Sequence, residues 1–206
     1  MRVDEWILYH HKKVLFSKPS YMGIPIQKNP MDAWIYQEII HEVRPEILLE
    51  IGSGMGSSSL YFAHLFDLLG EGTVVTVDQD RSYFRVSHPR IVLVTGDSNS
   101  DEVRRQIYDL CEGKRVMIIH DANHTCESVA RDLELYSPLV PPDSYFVVED
   151  GISDLFSPTD GLGVWEDWGY HAAVNFAATH PNWKIDLERE RYIFTYNPHG
   201  YLKRLS

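Results

Sequence analysis

Short apolar runs recur along the chain from residue 46 onward, and polar, helix-like segments separate them. The runs are rich in Val, Ile and Leu, which is typical of parallel strands that helices cover on both faces. The predicted strands are 47–51, 73–78, 90–97, 115–121 and 144–150. This alternation predicts an α/β fold with a doubly wound, mostly parallel sheet.

Helices are predicted between and after these strands, at 57–70, 99–113, 125–139 and 165–179. Several begin at Ser, Thr or Asn residues, which can cap a helix, and two end at Gly70 and Gly113. Near the end of the chain, WKIDLERERYIFTYNP contains two β-like runs around a polar turn at 188–191. The runs predict an antiparallel strand pair added to the parallel sheet.

The first 45 residues lack this alternation. Among them, YMGIPIQKNPMD at 21–32 is a loop with proline and glycine between two helix-like stretches. We therefore predict an N-terminal helical and loop cap over residues 1–45 and a ligand-binding domain over residues 46–206.

Charge and composition narrow the choice of partner. The net charge of −11 argues against nucleic acid, because phosphate contacts need clustered Lys and Arg. No apolar stretch approaches the ~20 residues that cross a bilayer. The cysteines, Cys111 and Cys126, lack the spacing of a zinc site or a disulfide framework. We expect a cytoplasmic protein that acts on a small molecule, either as a monomer or as a homo-oligomer.

The first candidate site is the turn after the first predicted strand, where Gly52, Gly54 and Gly56 follow Glu50. In an open α/β sheet, ligands bind at the carboxyl ends of the strands, near the point where strand order reverses. The GxGxG spacing differs from the GxGxxG dinucleotide fingerprint, and the GK[ST] ending of a phosphate loop is missing. Because Glu50 would also repel a pyrophosphate, the turn favours a cationic ligand without phosphate.

S-adenosylmethionine meets this requirement, since it carries an ammonium and a sulfonium group. Its carboxylate could use the helix N-terminus that follows Ser57. Asp78 could accept hydrogen bonds from the ribose, and Asp97 and Ser98 could meet the adenine. The predicted cofactor-binding residues are Glu50, Gly52, Ser53, Gly54, Gly56, Ser57, Asp78, Asp97, Ser98 and Asp121. The alternative is that the glycines only form tight turns and the acids are solvated.

A second acidic group follows the fourth and fifth predicted strands, in IIHDANH and VVEDG. Because neighbouring strands lie ~4.8 Å apart, we expect Asp121, Glu149 and Asp150 to lie close together at the same edge of the sheet. Three such carboxylates would repel one another unless a cation lies between them. All-oxygen ligands favour Mg²⁺, with Ca²⁺ or Mn²⁺ as alternatives, so these three residues predict a metal site.

Beside a methyl donor, such an ion could bind an acceptor hydroxyl, lower its pKa and hold its oxygen in line with the methyl group. Asp121 would then be catalytic as well as metal-binding, and His124 could take the proton. Two alternatives stay open. In one, His120, Asp121 and His124 hold iron in an oxygenase. In the other, the protein binds the cofactor without catalysis.

These motifs, in this order, resemble the family called cephalosporin hydroxylases, which also includes rhamnosyl O-methyltransferases. The similar segments are GIPIQKNPMDAWIYQEII, RPEILLEIGSGMGSSSLYFA, HPRIVLVTGDS, DANH, VVED and TYNPHGYLKR. The resemblance implies a Rossmann-like class I methyltransferase fold. It also implies S-adenosylmethionine-dependent methyl transfer to a hydroxyl of a sugar or small natural product, with Glu50, Gly52, Gly54, Asp78, Asp97 and Ser98 around the cofactor and Mg²⁺ on Asp121, Glu149 and Asp150.

One segment departs from the family pattern, since GYHAAV at 169–174 replaces a run expected to be richer in glycine and proline. Nearby aromatic residues could form the wall of an acceptor pocket, or could pack a helix or a subunit contact: Phe156, Trp165, Trp168 and Tyr170. Lys28 and Asp32 in the N-terminal loop could reach the site or lie at the surface. The acceptor therefore stays open.

Overall fold

The structure, a computed structural model, describes residues 1–155, 168–192 and 194–206. Its helices are α1 (Val3–His10), α2 (Pro30–Val43), α3 (Ser57–Leu69), α4 (Asp101–Cys111), α5 (Cys126–Tyr136) and α6 (Gly169–Thr179). Its strands are β1 (Ser20–Tyr21), β2 (Ile24–Pro25), β3 (Ile47–Ile51), β4 (Thr73–Asp78), β5 (Ile91–Thr95), β6 (Val116–His120), β7 (Tyr145–Val148), β8 (Trp183–Ile185) and β9 (Tyr201–Arg204). None of the described helices combines the length and apolarity needed to cross a membrane.

The main sheet has the strand order β5-β4-β3-β6-β7-β9-β8. Its first five strands are parallel, whereas β9 is antiparallel to both β7 and β8. Strand order reverses between β3 and β6, because β4 and β5 lie on one side of β3 and the later strands lie on the other. The predicted doubly wound sheet is confirmed, and its switch point lies beside the glycine turn that follows β3.

Apolar layers cover both faces of the sheet. Residues alternate along each strand, so that Leu48 packs in the layer under α2 and α3, whereas Leu49 packs in the layer under α4, α5 and α6. Both side chains are fully buried. The helix α2 contributes Ile35, Ile39 and other side chains to the first layer and so shares its core with the sheet. The boundary at residue 45 stays a prediction.

The C-terminal strand pair is confirmed, but its second strand lies later than the sequence pattern indicated. The pair is β8 and β9, and Leu187–Glu190 forms a 3₁₀ helix. The predicted second run forms no strand at Tyr192 or over 194–197. The reason is that buried Asp32 accepts hydrogen bonds from the Thr195 hydroxyl and the Tyr196 amide, at 2.5 and 2.9 Å. These bonds hold the run as a loop against the start of α2.

Candidate active site

Two neighbouring clefts open at the carboxyl edge of the parallel strands. The first, of about 620 Å³, is lined by the turns after β3, β4, β5 and β6 and by the start of α5. The second, of about 750 Å³, lies between the glycine turn and the N-terminal segment. Gly54 and Asp121 line both clefts, so the clefts share a wall. Ligands in the two clefts would meet at this wall.

The glycine turn after β3 depends on backbone that other residues rarely adopt. Gly52 and Gly54 have φ angles of 94° and 47°. The loop after β6 passes so close to Gly52 that a Cβ atom there would lie 2.0 Å from the carbonyl oxygen of Asp121. Glycine is therefore required at position 52, both for its backbone conformation and for the close approach of the two loops that form the clefts.

Asp78 fixes this turn from the end of β4. Its Oδ2 atom accepts hydrogen bonds from the Ser53 amide at 2.9 Å, the Ser53 hydroxyl at 3.1 Å and the Gly54 amide at 3.1 Å. Burial opposes the charge of Asp78, but these hydrogen bonds outweigh it and lower the pKa of the carboxyl group. Asp78 also lines the first cleft, where its contact with a ribose stays a prediction.

Glu50 lies beneath the turn rather than in a cleft. Its side chain is fully buried, and one carboxylate oxygen accepts a hydrogen bond from Ser59. Burial raises the pKa of Glu50. Glu50 is not among the residues that line either cleft, and neither is Gly56. The structure therefore places these two predicted cofactor residues behind the cleft wall, where Glu50 supports the start of α3.

The other predicted cofactor residues divide between the two clefts. The first cleft is lined by Gly52, Gly54, Asp78, Asp97, Ser98 and Asp121, and the second by Ser53, Gly54, Ser57 and Asp121. The Tyr136 hydroxyl donates a hydrogen bond to the Ser98 carbonyl and holds the loop after β5 in place. Neither of the two clefts is lined by all of the predicted cofactor-binding residues.

The predicted acidic group does come together, and a lysine lies within it. The Lys28 ammonium nitrogen is 2.5 Å from Asp121 Oδ2 and also contacts Glu149 Oε2. Lys28 is only 8% exposed. Burial disfavours its charge, but the two carboxylates outweigh burial and raise the pKa of Lys28. From the sequence, Lys28 could either reach the site or lie at the surface. The structure places it in the site.

Glu149 has contacts at both of its carboxylate oxygens. Oε2 contacts Lys28, and Oε1 accepts a hydrogen bond of 2.5 Å from the Tyr36 hydroxyl. Tyr36 in turn accepts a hydrogen bond from the Asn197 side chain at 2.7 Å. Burial raises the pKa of Glu149, and the nearby charge of Asp121 adds to this effect, whereas Lys28 opposes it. Protein groups thus already hold the predicted third metal ligand.

His124 completes a possible metal-binding group with two of the acids. Its Nε2 atom lies 3.6 Å from Asp121 Oδ1 and 3.5 Å from Asp150 Oδ2. Each of these three residues can offer one donor atom within 4.8 Å of the others. Two carboxylates and an imidazole suit a divalent cation. The geometry therefore groups Asp121 and Asp150 with His124, whereas the sequence grouped them with Glu149.

Asn197 helps to position Asp150 directly and Glu149 through Tyr36. Its side-chain oxygen accepts a hydrogen bond of 3.1 Å from the Asp150 amide, and its side-chain nitrogen reaches Tyr36. Asp150 has a φ angle of 61°, a conformation that costs of order 1 kcal/mol outside glycine. The roles of Tyr36 and Asn197 were not predicted from the sequence, although both residues lie in the motifs that carry the family resemblance.

His120 points away from this group. It is fully buried, and its Nε2 atom lies 3.0 Å from Asp132 Oδ2. His120, Asp121 and His124 therefore do not converge on one point, and among the described residues the grouping with metal-binding spacing excludes His120. The arrangement gives no support to the iron alternative.

Aromatic and apolar side chains form much of the second cleft. Trp168 lines it and stacks on His124, with ring centroids 5.4 Å apart and planes at 21°. Residues of the π-helix His11–Leu15 and of the segment 25–28 also line this cleft. Tyr170 instead stacks on His199. Phe156 and Trp165 lie outside the described residues.

Comparisons with known proteins agree with this architecture. The family model described as Rhamnosyl O-methyltransferase/CmcI matches residues 13–205. A rhamnosyl O-methyltransferase of Mycobacterium tuberculosis is 30% identical over 210 residues, which cover 98% of this chain and 84% of that protein. The Mycobacterium leprae relative of the same name is 28% identical over 212 residues, with 98% and 90% covered.

Solved structures show the same fold. A CmcI structure described as Mg-SAM superposes with a TM-score of 0.72 at 19% identity, over all of this chain and 85% of that chain. A CmcI structure described with SAH gives a TM-score of 0.68 at 18% identity, over all of this chain and 93% of that chain. The predicted class I methyltransferase fold and the predicted family are both confirmed. The chain belongs to the Rhamnosyl O-methyltransferase/CmcI family.

Proposed function

We propose that the protein is an S-adenosylmethionine- and Mg²⁺-dependent O-methyltransferase that acts on a hydroxyl group of a sugar or other small natural product. One observation carries the proposal. The two clefts meet at Gly54 and Asp121, and Asp121 also belongs to the group of side chains that can hold a divalent cation. Relatives named rhamnosyl O-methyltransferase support a sugar hydroxyl as the acceptor.

The first cleft fits the methyl donor. Its volume of about 620 Å³ lies within the ~300–1,000 Å³ typical of small-molecule sites. When bound, S-adenosylmethionine supplies an electrophilic methyl group on a positively charged sulfur. The acids Asp78 and Asp97 would accept hydrogen bonds from its ribose and adenine, and Gly52 lets the loop after β6 pass close to the glycine turn that lines the cleft. The carboxylates of this rim suit a cation far better than a phosphate.

The shared wall fits a hard divalent cation, because carboxylate oxygens are the preferred ligands of Mg²⁺. Asp121, Glu149 and Asp150 would hold the ion, and His124 lies beside Asp121 and Asp150. A cation bound there supplies a Lewis acid that lowers the pKa of an acceptor hydroxyl. Ca²⁺ and Mn²⁺ use similar ligands, so both are alternatives to Mg²⁺.

His124 is the proposed base. Its Nε2 atom faces Asp121 and Asp150, and the stacked Trp168 ring fixes the plane of the imidazole. The acceptor oxygen would lose its proton to His124 and form a bond to the methyl carbon. The bond between that carbon and sulfur would break, which leaves S-adenosylhomocysteine as the second product. Two carboxylates next to His124 would stabilise the imidazolium that forms.

Calorimetry and a methyl-transfer assay test the proposal together. We expect S-adenosylhomocysteine to bind, and a panel of rhamnosides to include an acceptor whose methylation needs Mg²⁺ and stops with a chelator. Failure of both S-adenosylmethionine and S-adenosylhomocysteine to bind in the presence of Mg²⁺ would refute the proposal. Binding without turnover on any hydroxylated acceptor would instead favour a cofactor-binding protein without catalysis.

A further inference from the structure

A buried ammonium group lies between Asp121 at the shared wall and the neighbouring carboxylate of Glu149. Lys28 contacts both Asp121 and Glu149, and it reaches them from the segment that precedes α2. Its nitrogen is therefore in contact with the groups that a divalent cation would use. Two cations cannot occupy neighbouring positions on the same carboxylates without strong repulsion.

The negative charges of the three acids explain why a lysine lies among them. Asp121, Glu149 and Asp150 together carry three negative charges when ionised, and Lys28 carries one positive charge. Without any compensating cation, three carboxylates this close would disfavour one another's ionisation. Lys28 supplies part of the compensation from within the chain, and a metal ion supplies it from solution. The ammonium group and the ion would thus compensate the charge of the same carboxylates.

We propose that Lys28 is a positioning residue that competes with the metal ion for Asp121 and Glu149. Its ammonium group lowers the affinity of the wall for a divalent cation, and it moves away from the carboxylates when the ion binds. Lys28 lines the second cleft, so that cleft is where the side chain can move. This inference rests on the metal site of the proposed function.

Three variants separate charge from contact. Lys28→Met removes the ammonium group and keeps an unbranched side chain, whereas Lys28→Arg keeps the charge. Lys114→Met is the matched control, because it removes the same charge from a lysine that pairs with Glu46 instead. Mn²⁺ binding to the full chain is measured by electron paramagnetic resonance at mildly alkaline pH, after treatment with a chelator. Circular dichroism confirms that each variant is folded.

We expect Lys28→Met to bind Mn²⁺ about tenfold more tightly than the wild type, since one positive charge in contact with the ligands is removed. Lys28→Arg and Lys114→Met should stay within about threefold of the wild type. Equal or weaker binding by folded Lys28→Met would overturn the inference and leave the metal site standing. If neither the wild type nor Lys28→Met binds Mn²⁺, both the inference and the proposed metal site fail.

Amine labelling tests the same inference in the wild type, whether or not Lys28→Met folds. Reductive methylation is followed by mass spectrometry with and without saturating Mg²⁺. We expect Lys28 to react several times faster with Mg²⁺, because the ion displaces its ammonium group from the carboxylates. Lys114 is the internal control, since it pairs with Glu46 at 3.7 Å. Both residues lie just before strands β6 and β3, at the end of the strands away from the clefts. Equal labelling of Lys28 in both conditions would contradict the displacement.

Discussion

The two clefts differ in how the chain builds them. The turns that directly follow four parallel strands supply most of the first cleft, so strand geometry and backbone hydrogen bonds set its shape. Sequence-distant pieces supply the second cleft: the π-helix, the segment 25–28, the glycine turn and Trp168. We therefore infer that the first cleft, which we propose for the methyl donor and call the donor side, is fixed by the sheet. The second cleft, which we propose for the acceptor and call the acceptor side, depends on side chains that hold the N-terminal segment.

Contacts of the N-terminal segment support this distinction. Leu15 packs with Ile152, Phe194 and Tyr196 in a small apolar cluster apart from the two layers of the sheet. His10 also contacts the Tyr196 hydroxyl at 2.7 Å. Changes in this cluster should affect acceptor binding alone, whereas changes at the shared wall should affect turnover most.

Asp121→Asn at the shared wall should have the largest effect. The variant removes one charge from the proposed metal group and from the ion pair of Lys28, so methyl transfer should fall on the order of a thousandfold. S-adenosylhomocysteine should still bind within about tenfold of wild-type affinity, because the turns of the first cleft are intact. Turnover and calorimetry give the two values. Turnover within tenfold of the wild type would mean that methyl transfer does not depend on Asp121 at the shared wall.

His124→Ala should rank next. Loss of a general base reduces turnover by about a hundredfold. Mn²⁺ affinity separates this role from that of a metal ligand, because removal of a base should change that affinity by less than about threefold. If Mn²⁺ affinity falls together with turnover, His124 acts as a ligand, as its spacing from Asp121 and Asp150 also allows.

Gly52→Ala and Gly54→Ala compare two glycines of the same turn. Both have positive φ angles, but only the added Cβ at Gly52 would meet neighbouring backbone, whereas no atom lies within 4 Å of one at Gly54. We expect Gly54→Ala to lower the free energy of unfolding by about 1 kcal/mol and Gly52→Ala by ~3 kcal/mol. Gly52→Ala should also weaken S-adenosylhomocysteine binding about tenfold. Denaturant unfolding and calorimetry measure both effects, and equal losses would show that steric contact at Gly52 is unimportant.

The same contrast explains how much the sequence could predict. The strands β3 and β4 have the predicted bounds, because a buried parallel strand has a local signature in its own residues. The contacts of Glu149 have no such signature, since Lys28 and Tyr36 lie 121 and 113 residues away. The sequence predicted that the acids lie at one edge of the sheet. It did not predict that Lys28 and Tyr36 would contact the two carboxylate oxygens of Glu149.

The late C-terminal strand has a similar cause. The alternation in YIFTYNP is a valid strand pattern, but Asp32 accepts hydrogen bonds from the Thr195 hydroxyl and from the Tyr196 amide, and a strand would have used that amide to pair with its neighbour. Asp32 lies 163 residues from Thr195 in the chain. Local periodicity therefore predicted the sheet and the turns that line the first cleft. Long-range polar contacts determine the conformation of the loop at 194–197.

Asp78→Asn tests the donor side through pH. The folded pKa of Asp78 is lowered, so its hydrogen bonds stabilise the protein above the ordinary Asp pKa of ~3.9, and this contribution is lost as pH falls through the lower folded value. We expect the variant to lose about 1 kcal/mol of unfolding free energy at neutral pH and to match the wild type at the acid end. Unfolding at several pH values gives the comparison. A difference that does not change with pH would assign the effect to something other than the charge of Asp78.

Trp6→Ala should have the smallest effect, and it tests the acceptor side alone. Trp6 packs edge-on against Phe194, with ring centroids 5.2 Å apart, and lines neither cleft. Its loss should loosen α1 and the π-helix, which would raise the KM for the acceptor about threefold because the cleft wall is less well positioned. S-adenosylhomocysteine affinity should not change, since none of the described residues that line the first cleft belongs to α1. If donor affinity falls as much as acceptor affinity, the two clefts are coupled through the whole fold, and their difference in construction has no functional consequence.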